Sequence, residues 1–294
     1  MATTILQAFQ ILKTRLEITD LQAEIVSTRQ NTVREVVESG MDVLDSFLTG
    51  SYSRKTMIAP LKDADIDVFI VLDPRYFRHY DQGQNGGQAG LLDFLKHTLR
   101  KTYTRTPDIS RNGQAVTIRF EDFVVDVVPG FNRQGGGFLI PNSITGTWLS
   151  TDPRKHIEIM SNANAVHNGD LVPLIKMIKA WNRGIDSNCR SFHLEVLALQ
   201  ILDNVKISNF PSGVRFFFDK GRALIMKQNA DPAGYGSDVG SYLNTQTKIQ
   251  EAAQRFETAY ERALKAEDYE GRGRTADAIG MWGKIFRDYF PAYG

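Results

Sequence analysis

Two short apolar runs constrain this chain more than any other feature: IDVFIVL at residues 66–72 and FVVDVVPG at residues 123–130. Each is β-branched, short and almost without polar positions, so each reads as a strand buried on both faces. Yet both carry acids. Asp65 and Asp67 stand at the mouth of the first run, and Asp126 sits among the valines of the second. Side chains alternate along a strand, so Asp65 and Asp67 project together, with Cα atoms roughly 7 Å apart. Val125 and Val127 point away from Asp126 for the same reason. Neighbouring desolvated carboxylates repel, and that is costly unless a cation neutralises them.

Magnesium suits such a group, because it prefers hard oxygen ligands and keeps substrate phosphates in its shell. Two ions about 4 Å apart can clamp the attacking and the leaving oxygen of a phosphoryl transfer. An adjacent strand would bring Asp126 to Asp65 and Asp67, where it joins the second ion and accepts the proton of the attacking hydroxyl. Upstream, GSYSRKT begins at Gly50. Gly50 lets the backbone turn tightly, and Ser51 with the amides after it receives phosphate oxygens at a helix start. Arg54 or Thr56 adds contacts. Asp63 precedes the strand and reads as a solvated or a turn residue outside the trio.

Around these runs, residues 4–17 read as a short amphipathic helix. A long helix follows, capped by Thr19 or Asp20 and ended by Gly40. VLDSFLTG (43–50) reads as a strand, GQNGGQAG (83–90) as a flexible loop, and residues 90–103 as a helix. AVTIRF (115–120) pairs with FVVDVVPG through a tight hairpin at Glu121-Asp122. From about residue 165 helices dominate: 170–184, 191–205, 244–269 and 275–290, with FPSGVRFFFDKGRALI either strand-like or helical. The expected fold is therefore α+β, with a mixed-sheet domain at 1–160 and a mostly helical domain at 161–294. A cleft between two such domains is a common ligand site.

Length, 294 residues, allows one large or two ordinary domains, and 35 basic against 34 acidic side chains leave a net charge of +1. That balance demands no nucleic-acid partner. One cysteine, Cys189, excludes an internal disulfide and a cysteine zinc site. No apolar run reaches a membrane span, and the N-terminus lacks the marks of a secretory leader, so a cytoplasmic location is expected.

GSYSRKT…DADIDVFIV together with VVDVVPGF resembles the nucleotidyltransferases of the DNA polymerase beta superfamily. Within it the likeness is to the oligoadenylate synthase and cyclic GMP–AMP synthase group, whose bacterial members are the cyclic-oligonucleotide synthases of anti-phage signalling (CD-NTases of CBASS systems). LIKMIKAWNR (174–183) resembles that group's helix with two basic residues before a tryptophan. The resemblance implies that Lys176 and Lys179 hold the donor triphosphate. SFHLEVLAL (191–199) is similar to the next helix, which implies that Ser191 lies near the donor base, and DPAGYGSDVG (231–240) is similar to a late Asp-Pro loop. By the residues alone, Lys176 and Lys179 share a helix face that could equally be a solvated basic edge. Trp181 and the Phe216–Phe218 run read as packing, and His193 as a satisfied buried histidine.

The resemblance implies a template-independent nucleotidyltransferase with its active site between a polymerase-beta-like domain and the helical one. It uses two Mg²⁺ ions, with Mn²⁺ able to substitute. It joins ribonucleoside triphosphates, ATP among them, into a cyclic di- or trinucleotide second messenger read by a downstream effector. A single cysteine departs from the zinc-bearing animal enzyme, and near-neutral charge departs from activation by long nucleic acid. FRDYFPAYG is expected to form a short free tail after Pro291. The family implies conjugation of Gly294 by a ubiquitin-ligase-like partner. Rival readings are a nucleotidyltransferase acting on RNA ends or on a protein, and a catalytically silent nucleotide-binding protein.

Overall fold

The computed structural model describes residues 1–105 and 108–294. Contacts divide the chain into two compact units, residues 18–158 and residues 1–17 with 159–294. The first helix, α1 (Ile5–Leu16), thus belongs with the helical unit and not with the sheet, as the boundary expected at residue 160 had it. The reason is packing: Phe9 of α1 lies edge-on to Trp282, Phe286 and Phe290, at ring distances of 4.9, 5.7 and 5.3 Å.

The sheet unit begins with α2 (Asp20–Gly40), started by a reciprocal cap. The Gln22 N–H donates to Thr19 Oγ1 (3.2 Å), and the Thr19 N–H donates to Gln22 Oε1 (2.9 Å). Then come β1 (Val43–Thr49), the single turn α3 (Gly50–Ser53), β2 (Asp65–Leu72), α4 (Pro74–Tyr80) and α5 (Gly87–Thr102). Five strands follow: β3 (Asp108–Asn112), β4 (Ala115–Arg119), β5 (Val124–Asn132), β6 (Phe138–Asn142) and β7 (Thr147–Thr151). The sheet is mixed, in the order β1-β2-β5-β4-β3, with β6 on the far end of β5 and β7 on β6. The two apolar runs form its centre, β2 parallel to β5.

Alternation decides what each face meets. Ile66, Val68 and Ile70 of β2 and Val125 and Val127 of β5 pack with Val26, Val33 and Val37 of α2 and Leu91, Leu95 and Leu99 of α5. Each such buried aliphatic side chain contributes about 1.5–3 kcal/mol. The opposite face holds Phe69 and Val71 with Phe138, while Asp65 and Asp67 occupy the same face nearer the start of β2.

Several elements depart from expectation. GQNGGQAG is a loop only in its first half: Gly83, Gln84, Asn85 and Gly86 have irregular backbone, three of them at positive φ, and α5 already starts at Gly87. β3, β6, β7, α4 and a polar helix, α6 (Pro153–Val166), had no sequence reading. In the helical unit follow α7 (Leu171–Arg183), α8 (Ser191–Ile201), α9 (Phe210–Leu224), α10 (Gln246–Gly271) and α11 (Thr275–Phe286). FPSGVRFFFDKGRALI is helical, because Asn209 Oδ1 accepts from the Ser212 N–H (2.9 Å) and caps α9. Trp181 packs edge-on against Phe218 (4.8 Å) and Phe256 (4.9 Å), as core.

The chain's last residues are not a free tail. The Ala2 N–H donates to Ala292 O (3.0 Å), and the Gly294 N–H donates to Ala2 O (3.3 Å), which makes a parallel bridge between Ala2 and Tyr293. Backbone groups that would otherwise seek water find each other instead. Gly294 itself is exposed.

Candidate active site

The backbone register assembles the acids. In the parallel β2–β5 pair, Asp67 stands directly beside Asp126, and Asp65 beside Val124. Asp65 is two residues before Asp67, so all three carboxylates project from one face of the sheet. Asp65 is exposed at the strand's mouth, while Asp67 and Asp126 are half-buried. The Asp65 carboxyl is pushed above its ordinary value, first by loss of water around it, then by the Asp126 charge; Arg119 opposes the shift. The acids therefore resist being charged together, as a site built for a cation does.

Antiparallel to β2, β1 brings Thr49 opposite Asp67, and Gly50 follows at once. Gly50 has φ +67°, and a Cβ there would lie 1.7 Å from Asp67 Oδ2. Only glycine serves, for backbone conformation and for space. Ser51 is half-buried in the turn of α3, and its carbonyl accepts from the N–H groups of Thr56 (2.9 Å) and Met57 (3.1 Å). Arg54 and Thr56 are buried below that turn. Asp63 closes a 3-10 turn by its backbone, and its side chain lies outside the described atoms.

One polar partner had no sequence reading. Thr117 of β4 lies opposite Asp126, and its hydroxyl donates to Asp126 Oδ1 at 2.5 Å. The signal was available: in AVTIRF, the threonine alternates with Val116 and Ile118 and so faces the other way. Among the described residues, no three His, Cys, Asp or Glu side chains close around a single point. The register fixes the shared face, and side-chain rotamers set the closure. The donor set is all carboxylate oxygen, which fits a hard divalent cation and not a soft one.

In the helical unit, Lys176 and Lys179 of α7 are buried, and both are ion-paired. Lys176 Nζ donates to Glu17 Oε2 (2.5 Å), and Lys179 Nζ to Glu195 Oε1 (3.2 Å). They are not a solvated basic edge. Ser191 is exposed and begins α8. His193 is buried, as expected, and hydrogen-bonded at both nitrogens, to Tyr242 Oη (3.1 Å) and Asn229 Nδ2 (3.2 Å). Asp231, first residue of the Asp-Pro loop, accepts from the N–H groups of Ala233 (3.1 Å), Tyr235 (3.3 Å) and Gly236 (2.7 Å). That aspartate organises its own loop. A cavity of about 390 Å³ in the sheet unit, lined by Arg133, Phe138, Asp152, Arg154 and Glu158 among others, contains none of the predicted site residues.

The family model of the Second Messenger Oligonucleotide or Dinucleotide Synthetase (SMODS) domain matches residues 3–164. The chain belongs to the SMODS family. The matched stretch contains Gly50, Ser51 and all three acids of the SMODS chain. Among its relatives is a protein of Bacillus cereus (strain VD146) named "probable cyclic nucleotide synthase", 27% identical over 83% of this chain and 81% of the relative. Another is the cyclic AMP-AMP-AMP synthase of Acinetobacter sp. (strain ATCC 27244 / 9458), 25% identical over 96% of this chain and 87% of that one. The fold matches that of CdnC from E. coli MS115-1, solved with ATP: TM-score 0.78, 18% identity, 98% of this chain and 99% of that one covered. CdnC has also been solved in complex with a HORMA protein. No helix among the described residues is long and apolar enough to cross a membrane.

Proposed function

We propose that this SMODS protein is a template-independent nucleotidyltransferase that makes a cyclic di- or trinucleotide messenger from ribonucleoside triphosphates, ATP among them. It acts in the cytoplasm, in bacterial anti-phage signalling, and an effector reads its product. The observation that carries this reading is the register that sets Asp126 beside Asp67, with Asp65 on the same face and Gly50 against Asp67. Three carboxylates on one sheet face are costly in a protein that only needs to fold.

In this reading the backbone of Gly50 and the Ser51 hydroxyl donate to phosphate oxygens of the donor nucleotide. Arg54 and Lys176 add positive charge, and Ser191 contacts the donor base. Asp126, oriented by Thr117, accepts the proton of the acceptor's ribose hydroxyl. That oxygen attacks the α-phosphorus, its bond to the β-phosphate oxygen breaks, and pyrophosphate leaves. Two Mg²⁺ ions on Asp65, Asp67 and Asp126, or Mn²⁺ in their place, would neutralise the charge on the triphosphate when bound. Repeating the step between the two ends of a linear product closes the ring.

Conjugation of Gly294 by a ubiquitin-ligase-like partner belongs to the same proposal and carries a condition. Residues 292–294 must first leave their pairing with Ala2.

The experiment is direct. Purified protein is incubated with the four ribonucleoside triphosphates and Mg²⁺ or Mn²⁺, treated with phosphatase and analysed by mass spectrometry. A phosphatase-resistant cyclic product is expected. Linear, phosphatase-sensitive products would overturn the ring, and tRNA or protein labelling without free product would favour a transferase acting on macromolecules.

A further inference from the structure

The two lysines of α7 stand in unlike surroundings. The Lys179 ammonium and the Glu195 carboxylate are both buried, with side chains 6% and 0% exposed. Glu195 comes from α8, the next helix along the chain. An ion pair buried on both sides is costly to break, so it persists. Lys176 is equally buried, 7% exposed, but its partner is not: the Glu17 side chain is 47% exposed. Glu17 lies 159 residues upstream, just past α1, where its N–H donates to Thr14 O (3.3 Å). It is the last residue of the segment that clusters with the helical unit; the other unit starts at Ile18.

We propose that Glu17 is an exchangeable counterion that occupies Lys176 until a polyphosphate replaces its carboxylate, and that Glu195 is a permanent positioning partner that withdraws Lys179 from phosphate binding. The inference rests on the reading of Lys176 as a triphosphate contact and divides the pair's roles. Exchange at Lys176 is cheap for two reasons. A half-exposed carboxylate regains its hydration on release, and the lysine's buried stem already holds the ammonium in place. A polyphosphate offers several charged oxygens where Glu17 offers one carboxylate, so it wins the competition when present. At Lys179 the same exchange would have to open a pair that water does not reach on either side. By linkage, what binds at Lys176 also frees Glu17.

The test is calorimetric titration of the full chain with inorganic tripolyphosphate, without divalent metal, so that the acid trio plays no part. Glu17→Gln should tighten binding by about fivefold. Lys176→Gln should weaken binding by about tenfold, with no further change when Glu17→Gln is added. The double change Lys179→Met/Glu195→Leu should leave affinity as in the parent chain. Glu17→Asp, which keeps the charge but shortens its reach, should fall between parent and Glu17→Gln, and serves should Glu17→Gln fold poorly. With ATP as substrate, Glu17→Gln should lower KM more than it changes kcat. An unchanged or weaker tripolyphosphate affinity in Glu17→Gln, at the parent's melting midpoint, would overturn the inference. So would a gain that survives removal of Lys176. A chain that follows the predicted binding pattern yet makes no nucleotide product loses the proposed function and keeps this inference. One that makes product, with KM and tripolyphosphate affinity indifferent to Glu17, loses this inference alone.

Discussion

The acids of the sheet and the lysines of α7 handle charge in opposite ways. Asp65, Asp67 and Asp126 are held together by the β2–β5 register, like charges on one face, with Thr117 as one neutral partner. Lys176 and Lys179 each carry a carboxylate partner of opposite charge. The first arrangement spends stability for chemistry, and the second preserves stability while holding cations in reserve. Substitutions should therefore separate the two regions cleanly.

The largest effect should fall on the acids and spare the fold. Asp65→Asn/Asp67→Asn should reduce product formation on the order of a thousandfold, measured by mass spectrometry. Its melting midpoint should hold or rise, because the loss of water around the Asp65 charge and its repulsion with Asp126, which together raise its pKa, no longer oppose folding. A fall in the midpoint would blur the comparison. The converse is expected at Glu195→Gln, which takes the carboxylate charge out of an ion pair buried on both sides. Urea denaturation should register a loss of about 3–5 kcal/mol, most of it restored in Lys179→Met/Glu195→Leu.

The helical unit also holds a group that avoids charge altogether. Burial pushes the His193 pKa down to about 4, against a smaller opposing pull from Asp238. The folded state thus binds the proton less readily than the unfolded chain, whose histidine titrates near 6.5. Stability from this source is complete above that pH and is lost as pH falls through the window from about 6.5 to 4, by up to about 3 kcal/mol. Comparing denaturation curves of the parent and His193→Gln across that window checks it; the variant's curve should be flatter. Smallest is Thr117→Val, which removes the hydroxyl on Asp126 and keeps the shape. About a tenfold loss in kcat with little change in KM is expected in steady-state kinetics.

Much of the sheet face was legible because a two-residue period maps directly onto two faces. IDVFIVL and FVVDVVPG declared themselves as central strands, and their acids stood out against the valines. Thr117 was legible by the same rule. Glu195 was too: a lone glutamate in SFHLEVLAL is as costly among apolar residues as an aspartate among valines. Glu17 was not, because its pairing depends on where α1 docks, and an amphipathic helix does not say which unit covers its apolar stripe. Nor were β6 and β7 readable. FLIPN carries a proline, and TWLST is short and never fully buried, so neither shows a strand's pattern. The pairing of the tail with Ala2 is backbone to backbone and leaves no mark in side chains.

The most direct measurement is the binding of Mn²⁺ to the full chain, followed by electron paramagnetic resonance in the presence of a non-hydrolysable ATP analogue. The register argument predicts tight binding in the parent, lost in both Asp67→Asn and Asp126→Asn while their melting midpoints hold. Unaltered Mn²⁺ affinity in these two variants would contradict it, since the carboxylates that β2 and β5 set side by side would then not be the ones that hold the metal.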